Sequence, residues 1–166
     1  MKTKFFIVLC IALSSLSIKA QTPYKHSIGG ILGFFNGVSY KTFVDNNFAI
    51  QADLGMHVSH YMLGLNVNGN FMYEQAIQDG FYWFAGGGIT LGPAFGYVRN
   101  YPANNQTLFG FRLGLNGIGG AEYKFNNIPL TLQADIRPGI SFYMSNGGFF
   151  AFFDYNFLNA SVRYTF

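Results

Sequence analysis

Read backwards from Phe166, the chain alternates. Leu158, Ala160, Val162, Tyr164 and Phe166 are apolar, and Asn159, Ser161, Arg163 and Thr165 between them are polar. Successive side chains of a strand point to opposite faces, so this spacing predicts a strand with one greasy face, one wet face and an aromatic last residue. The same reading predicts strands over about 26–35, 37–44, 48–61, 63–75, 80–92, 107–125, 128–142 and 155–166. Strand three directs Phe48, Ile50, Ala52, Leu54, Met56 and Val58 to one side and Gln51, Asp53, His57 and Ser59 to the other. Strand six does the same with Phe109, Phe111, Leu113, Leu115, Tyr123 and Phe125 against Arg112, Asn116, Glu122 and Lys124. Strand seven sets Leu130, Leu132, Ala134 and Ile136 against Thr131, Gln133, Asp135 and Arg137, after which Pro138 removes a ladder donor and predicts a span edge, a bulge or a bend.

Short turn signals at Asp45-Asn46-Asn47, Gln78-Asp79-Gly80 and Asn126-Asn127 alternate with longer connections over 100–107 and 145–154. An even number of strands permits antiparallel closure with both chain ends on one side, the side of the short turns. If the charged face is the inner one, the apolar outer face belongs in hydrocarbon. An open sheet edge there would leave backbone groups unpaired at a cost of several kcal/mol each. The expected fold is therefore all-β: an eight-stranded antiparallel transmembrane β-barrel, with short periplasmic turns and longer external loops. Glycines at 86, 87, 88, 114, 117, 119 and 120 suit the crowding of a narrow barrel. Tyr82, Trp83, Tyr97, Tyr101, Tyr123, Tyr155 and Tyr164 supply candidates for its interfacial aromatic belts, Trp83 with an outward phase.

The N-terminus changes the picture of compartment and charge. Lys2 and Lys4 precede an apolar stretch from Phe5 to Leu13, and Ser17-Ile18-Lys19-Ala20 supplies a small-residue end, so residues 1–20 read as a cleaved signal peptide and 21–166 as one domain. That apolar run is short of the roughly 20 residues a membrane helix needs. The chain's 10 basic residues exceed its 7 acidic ones only because of Lys2, Lys4 and Lys19. The domain itself is charge-balanced and offers no nucleic-acid surface. Cys10, the single cysteine, lies in the signal. No disulfide or thiol chemistry is expected of the domain.

Several segments resemble a known group. Gly37-Val-Ser-Tyr-Lys-Thr-Phe43, Tyr82-Trp-Phe-Ala-Gly-Gly-Gly88, Gly119-Gly-Ala-Glu-Tyr-Lys-Phe125, Ile128-Pro-Leu-Thr-Leu-Gln-Ala-Asp-Ile-Arg-Pro138 and Ser161-Val-Arg-Tyr-Thr-Phe166 together resemble the small outer-membrane β-barrel proteins common in Bacteroidetes. The chain departs from that pattern at Gln51, where a glutamate is usual, and at Ile136, where an aromatic residue precedes the Arg-Pro pair. The resemblance implies the outer membrane of a Gram-negative bacterium, and many members of the group have no assigned activity.

The inward polar residues are the candidate chemistry. Lys41, Arg112, Lys124, Arg137 and Arg163 can oppose Asp53, Glu74, Glu122 and Asp135 as an interior ion-pair network, because buried charges are tolerated mainly when paired. An eight-stranded barrel leaves room inside for side chains or one small ligand, so an open pore is not expected. His57 and Ser59 share a face, and with Glu74 they resemble a fragment of the outer-membrane lipid A deacylase pattern, in which serine, histidine and glutamate cooperate in acyl transfer. The phase of strand three turns His57 and Ser59 inward, away from a lipid substrate. His57 and His60 alternate to opposite faces, and His26 lies at the start of strand one, so no metal site is expected and no cofactor motif is present. The reading is thus a non-enzymatic outer-membrane protein, structural or binding through loops 100–106 and 145–154. Its expected partners are lipid, the insertion machinery engaged by the Phe166-terminated strand, and an external ligand; it is expected to be monomeric. The alternatives are an acyl-ester hydrolase using Ser59 and His57, and a soluble small-ligand-binding barrel.

Overall fold

The computed structural model describes residues 24–59, 62–97, 107–145 and 148–166; the signal segment, His60 and loop 100–106 lie outside them. Eight strands follow one another: β1 (His26–Gly33), β2 (Phe35–Phe43), β3 (Phe48–Ser59), β4 (Met62–Gln78), β5 (Phe81–Tyr97), β6 (Thr107–Lys124), β7 (Leu130–Ser145) and β8 (Gly148–Thr165). Each pairs antiparallel with the next, and β1 pairs with β8 to close the ring. Among the described residues there is no helix. Tyr24 and Phe166 lie at the end that carries the β2–β3, β4–β5 and β6–β7 turns, where His26 and Phe166 exchange backbone hydrogen bonds of 3.0 and 2.9 Å. The β4–β5 turn places Asp79 at φ 47° and Gly80 at φ 85°. Two successive positive values match the right-handed twist of the flanking strands.

The expected phases hold. Phe48, Ile50, Leu54 and Met56 are exposed while Gln51, Asp53 and His57 are buried; Leu132 and Ile136 are exposed while Thr131, Gln133, Asp135 and Arg137 are buried. Among the described strand residues, no Asp, Glu, Lys or Arg has the outward phase. Trp83 is outward, as expected, whereas Tyr82 has the inward phase of its neighbour Phe84.

One expectation is corrected. Most of the loop predicted over 145–154 is strand: β7 runs to Ser145 and β8 begins at Gly148. The reason is a bulge beside Pro138. Asp135 pairs with Asn159 but Arg137 pairs with Asn156, so β8 carries one extra residue, and the consecutive Phe157 and Leu158 both face outward. Upstream of the bulge the phase inverts: Phe149, Phe153, Tyr155 and Phe157 point out, and Asp154 and Asn156 point in. A reading in strict period two from Phe166 loses the strand there.

The ring is uneven in height. β1 and β2 have 8 and 9 residues, whereas β4 to β8 have 16 to 18. At about 3.3 Å per residue and a tilt of about 40°, the short hairpin rises about 20 Å and the tall wall about 40 Å. The β1–β8 ladder ends at Gly33 and Asn159, so among the described residues the part of β8 before Leu158 has no strand on that side.

Candidate functional site

The interior is built in three tiers. The lowest, nearest the chain ends, begins with an apolar floor of Tyr24, Phe43, Ala49, Met72, Phe84 and Ile118. Lys41 sits on it, fully buried, with its ammonium 5.1 Å from the centre of the Phe43 ring and 5.5 Å from that of Phe84. Its Nζ pairs with Glu74 and donates to Glu122 Oε2 at 2.9 Å. Arg163 Nη2 reaches the same Glu122 oxygen at 2.6 Å and also bonds Gln133, while Nη1 donates to Ser39 Oγ at 3.2 Å. The Tyr24 hydroxyl completes Glu122 by donating to Oε1 at 2.6 Å. Burial holds that hydroxyl well above its ordinary pKa and keeps it a donor. Glu74 has no such second support: its Oε1 has no hydrogen-bond partner among the described residues.

The middle tier centres on Arg137. Its Nη1 donates to Asp53 Oδ2 at 2.6 Å and to Asn68 Oδ1 at 3.0 Å, and its Nε to Asp135 Oδ1 at 2.6 Å. Gln51 donates to Asp53, Gln133 donates to Gln51 and Asp135, and Asn159 donates to Asp135, so the two carboxylates that face the guanidinium are each bonded again. A network satisfied to this degree is rigid, and losing one member leaves a buried charge behind.

The upper tier joins β3, β6, β7 and β8. Arg112 pairs with Asp154 and donates from Nε to Ser141 Oγ at 3.0 Å; Ser141 Oγ in turn donates to Asp154 Oδ2 at 3.2 Å. His57 Nε2 lies 3.6 Å from Asp154 Oδ1, beyond hydrogen-bond reach but close enough for attraction when the ring is protonated. A cavity of about 20 Å³ opens among these groups, lined also by Phe35, Asn68, Thr90 and Asn156. That is room for about one water molecule.

Of the predicted interior residues, Lys41, Asp53, Glu74, Arg112, Glu122, Asp135, Arg137 and Arg163 meet as described. Lys124 does not join a carboxylate. As the last residue of β6 it reaches the rim, where Nζ donates to the carbonyls of Phe125 at 2.7 Å and Ile128 at 3.1 Å. Sequence reasoning missed Asp154, Arg112's partner, because the inverted phase hid its strand. It also missed the inward aromatic floor, for which the signal was Phe84 and Phe43 standing at even and odd positions in phase with buried polar neighbours.

His57, Ser59 and Glu74 are not brought together as a set. His57 pairs with Gly64 of β4, and Glu74 lies ten residues farther along that strand, about 33 Å away. Glu74 is engaged by Lys41 at the opposite end of the interior from Asp154, which is the carboxylate His57 faces. Ser59 closes β3 opposite Met62; its side chain lies outside the described residues. His26 stacks outward against Tyr40 and Phe166. Among the described residues, no group of three His, Cys, Asp or Glu side chains is placed to hold a metal ion. No protein-family model, curated protein or solved structure matches the chain.

Proposed function

We propose that the chain is an outer-membrane β-barrel protein of a Gram-negative bacterium, non-enzymatic and non-conducting, that works by binding at the end away from its termini. The observation that carries this reading is the inversion of polarity: charges lie inside in pairs, and no Asp, Glu, Lys or Arg of the described strand residues faces outward. Water would select the opposite arrangement. In a bilayer an outward Arg or Lys at mid-depth costs about 2–4 kcal/mol, which accounts for a wall made of Leu, Ile, Val, Phe, Ala and Gly. Two bands of ring contacts support the same orientation. Phe48, Tyr73, Trp83, Tyr123 and Phe125 form one near the chain ends, and Phe95 with Phe109 and Phe142 with Phe149 form another near the opposite rim. They fit the two interfacial girdles of such barrels.

Cross-linking of the interior argues for binding over conduction: the Lys41, Arg137 and Arg112 tiers fill the lumen. Residues 1–20 would direct export, the Phe166-terminated strand would engage the insertion machinery, and the folded domain would sit in lipid as a monomer. The test is expression of the full chain in a Gram-negative host, separation of the two membranes, and comparison of boiled and unboiled samples on a denaturing gel. The expected result is an outer-membrane protein, lacking residues 1–20, that migrates differently before boiling. Recovery as a detergent-free periplasmic monomer would overturn the proposal in favour of a soluble ligand-binding barrel.

A further inference from the structure

Four of the five Lys and Arg side chains in the described strands end on a carboxylate: Lys41, Arg112, Arg137 and Arg163. Lys124 does not. Its ammonium donates to the carbonyls of Phe125 and Ile128, both in the β6–β7 turn, and no carboxylate oxygen of the described residues lies within ion-pair distance. An ammonium has three hydrogens, so two carbonyls leave one donor unused and the charge unmatched. Nor does that charge stand free in solvent. Lys124 is half-buried and lines a cavity of about 430 Å³ at the rim nearest the chain ends. This volume lies within the range of small-molecule sites.

The walls of this cavity are fixed. The Tyr24 ring closes its inner side, held by the hydroxyl's bond to Glu122 at 2.6 Å and by edge-on contact with Phe43 at 5.2 Å. The β6–β7 turn forms a second side. There Leu130 N–H donates to the Ile128 carbonyl at 2.8 Å, and Thr165 N–H donates to the Pro129 carbonyl at 2.9 Å, which ties the turn to β8. The end of β8 forms the third, where Phe166 is bonded to His26. The lining changes character across the cavity: Lys124, Asn126 and Asn127 bring N–H donors, whereas Ile128, Pro129 and Phe166 are apolar. Phe166 has the outward phase, is 60% exposed and stacks on the outward His26 ring at 5.7 Å; Ile128 is 45% exposed. The apolar side therefore adjoins the outer wall, and the polar side adjoins the mouth of the barrel.

Resting on the outer-membrane reading, we propose that this cavity holds the phosphate of one phospholipid of the periplasmic leaflet. Lys124 Nζ and the amides of Asn126 and Asn127 donate to the phosphate oxygens. The glycerol and the first methylenes lie against Ile128, Pro129 and Phe166. A phosphate supplies the negative charge that Lys124 lacks, and basic pockets at a membrane surface are recurrent head-group sites. A free anion would meet the same donors but leave the apolar side uncovered, so a lipid is the occupant that fits both. Fixed walls mean that little further ordering opposes its binding.

The test places the full folded protein in vesicles of equal parts phosphatidylglycerol and digalactosyldiacylglycerol with the same acyl chains. The protein is then extracted into mild detergent, and its retained lipids are counted by native mass spectrometry. One phospholipid should be retained in preference to the phosphate-free glycolipid by at least about tenfold, the size of one hydrogen bond to a charged group. Lys124→Gln should abolish that preference and Lys124→Arg should keep it. Lys25→Gln, which removes an exposed charge at the same rim but outside the cavity, should leave it unchanged. If Lys124→Gln does not insert, the wild-type preference and the Lys25→Gln control decide alone. An excess of inorganic phosphate during extraction should not displace the lipid; displacement would assign the donors to a free anion and overturn the proposal. Equal retention of the two lipids, or a preference lost with Lys25 rather than with Lys124, in protein that has inserted would also overturn it and leave the outer-membrane reading intact. Failure to insert into vesicles at all would remove both.

Discussion

Lys41 makes the most demanding test of the interior, because the structure predicts which of its two partners will suffer from its loss. In Lys41→Met the ammonium leaves while most of the side-chain volume on the Phe43 and Phe84 rings is retained. Glu122 keeps Arg163 at 2.6 Å and the Tyr24 hydroxyl at 2.6 Å. Glu74 keeps no charged partner, since Lys41 is its one ion-pair contact among the described residues and its Oε1 is already without a hydrogen bond. Stranding one buried carboxylate costs about 3–5 kcal/mol. Glu74→Gln alone leaves Lys41 bonded to Glu122 and costs about 1–2 kcal/mol, the price of one charge-assisted hydrogen bond. Combined, the two changes remove the stranded charge, so the double variant should be more stable than Lys41→Met by about 2 kcal/mol. Reversible urea unfolding in vesicles, followed by the fluorescence of Trp83, reads all four proteins. Trp83, the only tryptophan, lies outward on β5, on the face opposite the inward pair. Additivity of the two substitutions within about 0.5 kcal/mol would refute the account of Glu74 as Lys41's dependent.

Other outcomes follow from the same geometry. Gly80→Val should destabilise by about 2 kcal/mol in the same unfolding assay, because Gly80 has φ 85° and an added Cβ would stand 2.5 Å from the Lys124 carbonyl; an unchanged midpoint would contradict the turn. In planar bilayers the folded protein should give no steady conductance, and stepwise currents abolished by boiling the sample would show that the three tiers do not seal the lumen. Purified protein should release no fatty acid from lipid A at a rate that Ser59→Ala lowers, since Glu74 is held by Lys41 about 33 Å along β4 from His57's level. Leu32→Trp in a Trp83→Phe background should be quenched by lipids brominated along the acyl chain, and insensitivity to them would place the hairpin tip in water.

The alternation of residues 48–58, 109–125 and 130–137 was sufficient to identify the strands and their faces, because a side-chain period of two is a local property of extended backbone. Closure was also within reach, since apolar outer faces leave no tolerable open edge in lipid. What sequence could not decide is everything that depends on register around the ring. Whether Lys41 meets Glu74, and whether Arg112 meets Asp154 or Asp53, depends on how far each strand slides on its neighbour, and eight such offsets must close together. The bulge at Phe157-Leu158 shows the limit most directly. One inserted residue exchanged the two faces of β8, concealed its first half in an apparent loop, and moved Asp154 from solvent to the interior. Likewise, the short length of β1 and β2 was visible along the chain, but only the tertiary structure set that short hairpin beside the tall β8. Local periodicity specifies faces; the contacts between faces are long-range, and only the closed ring supplies them.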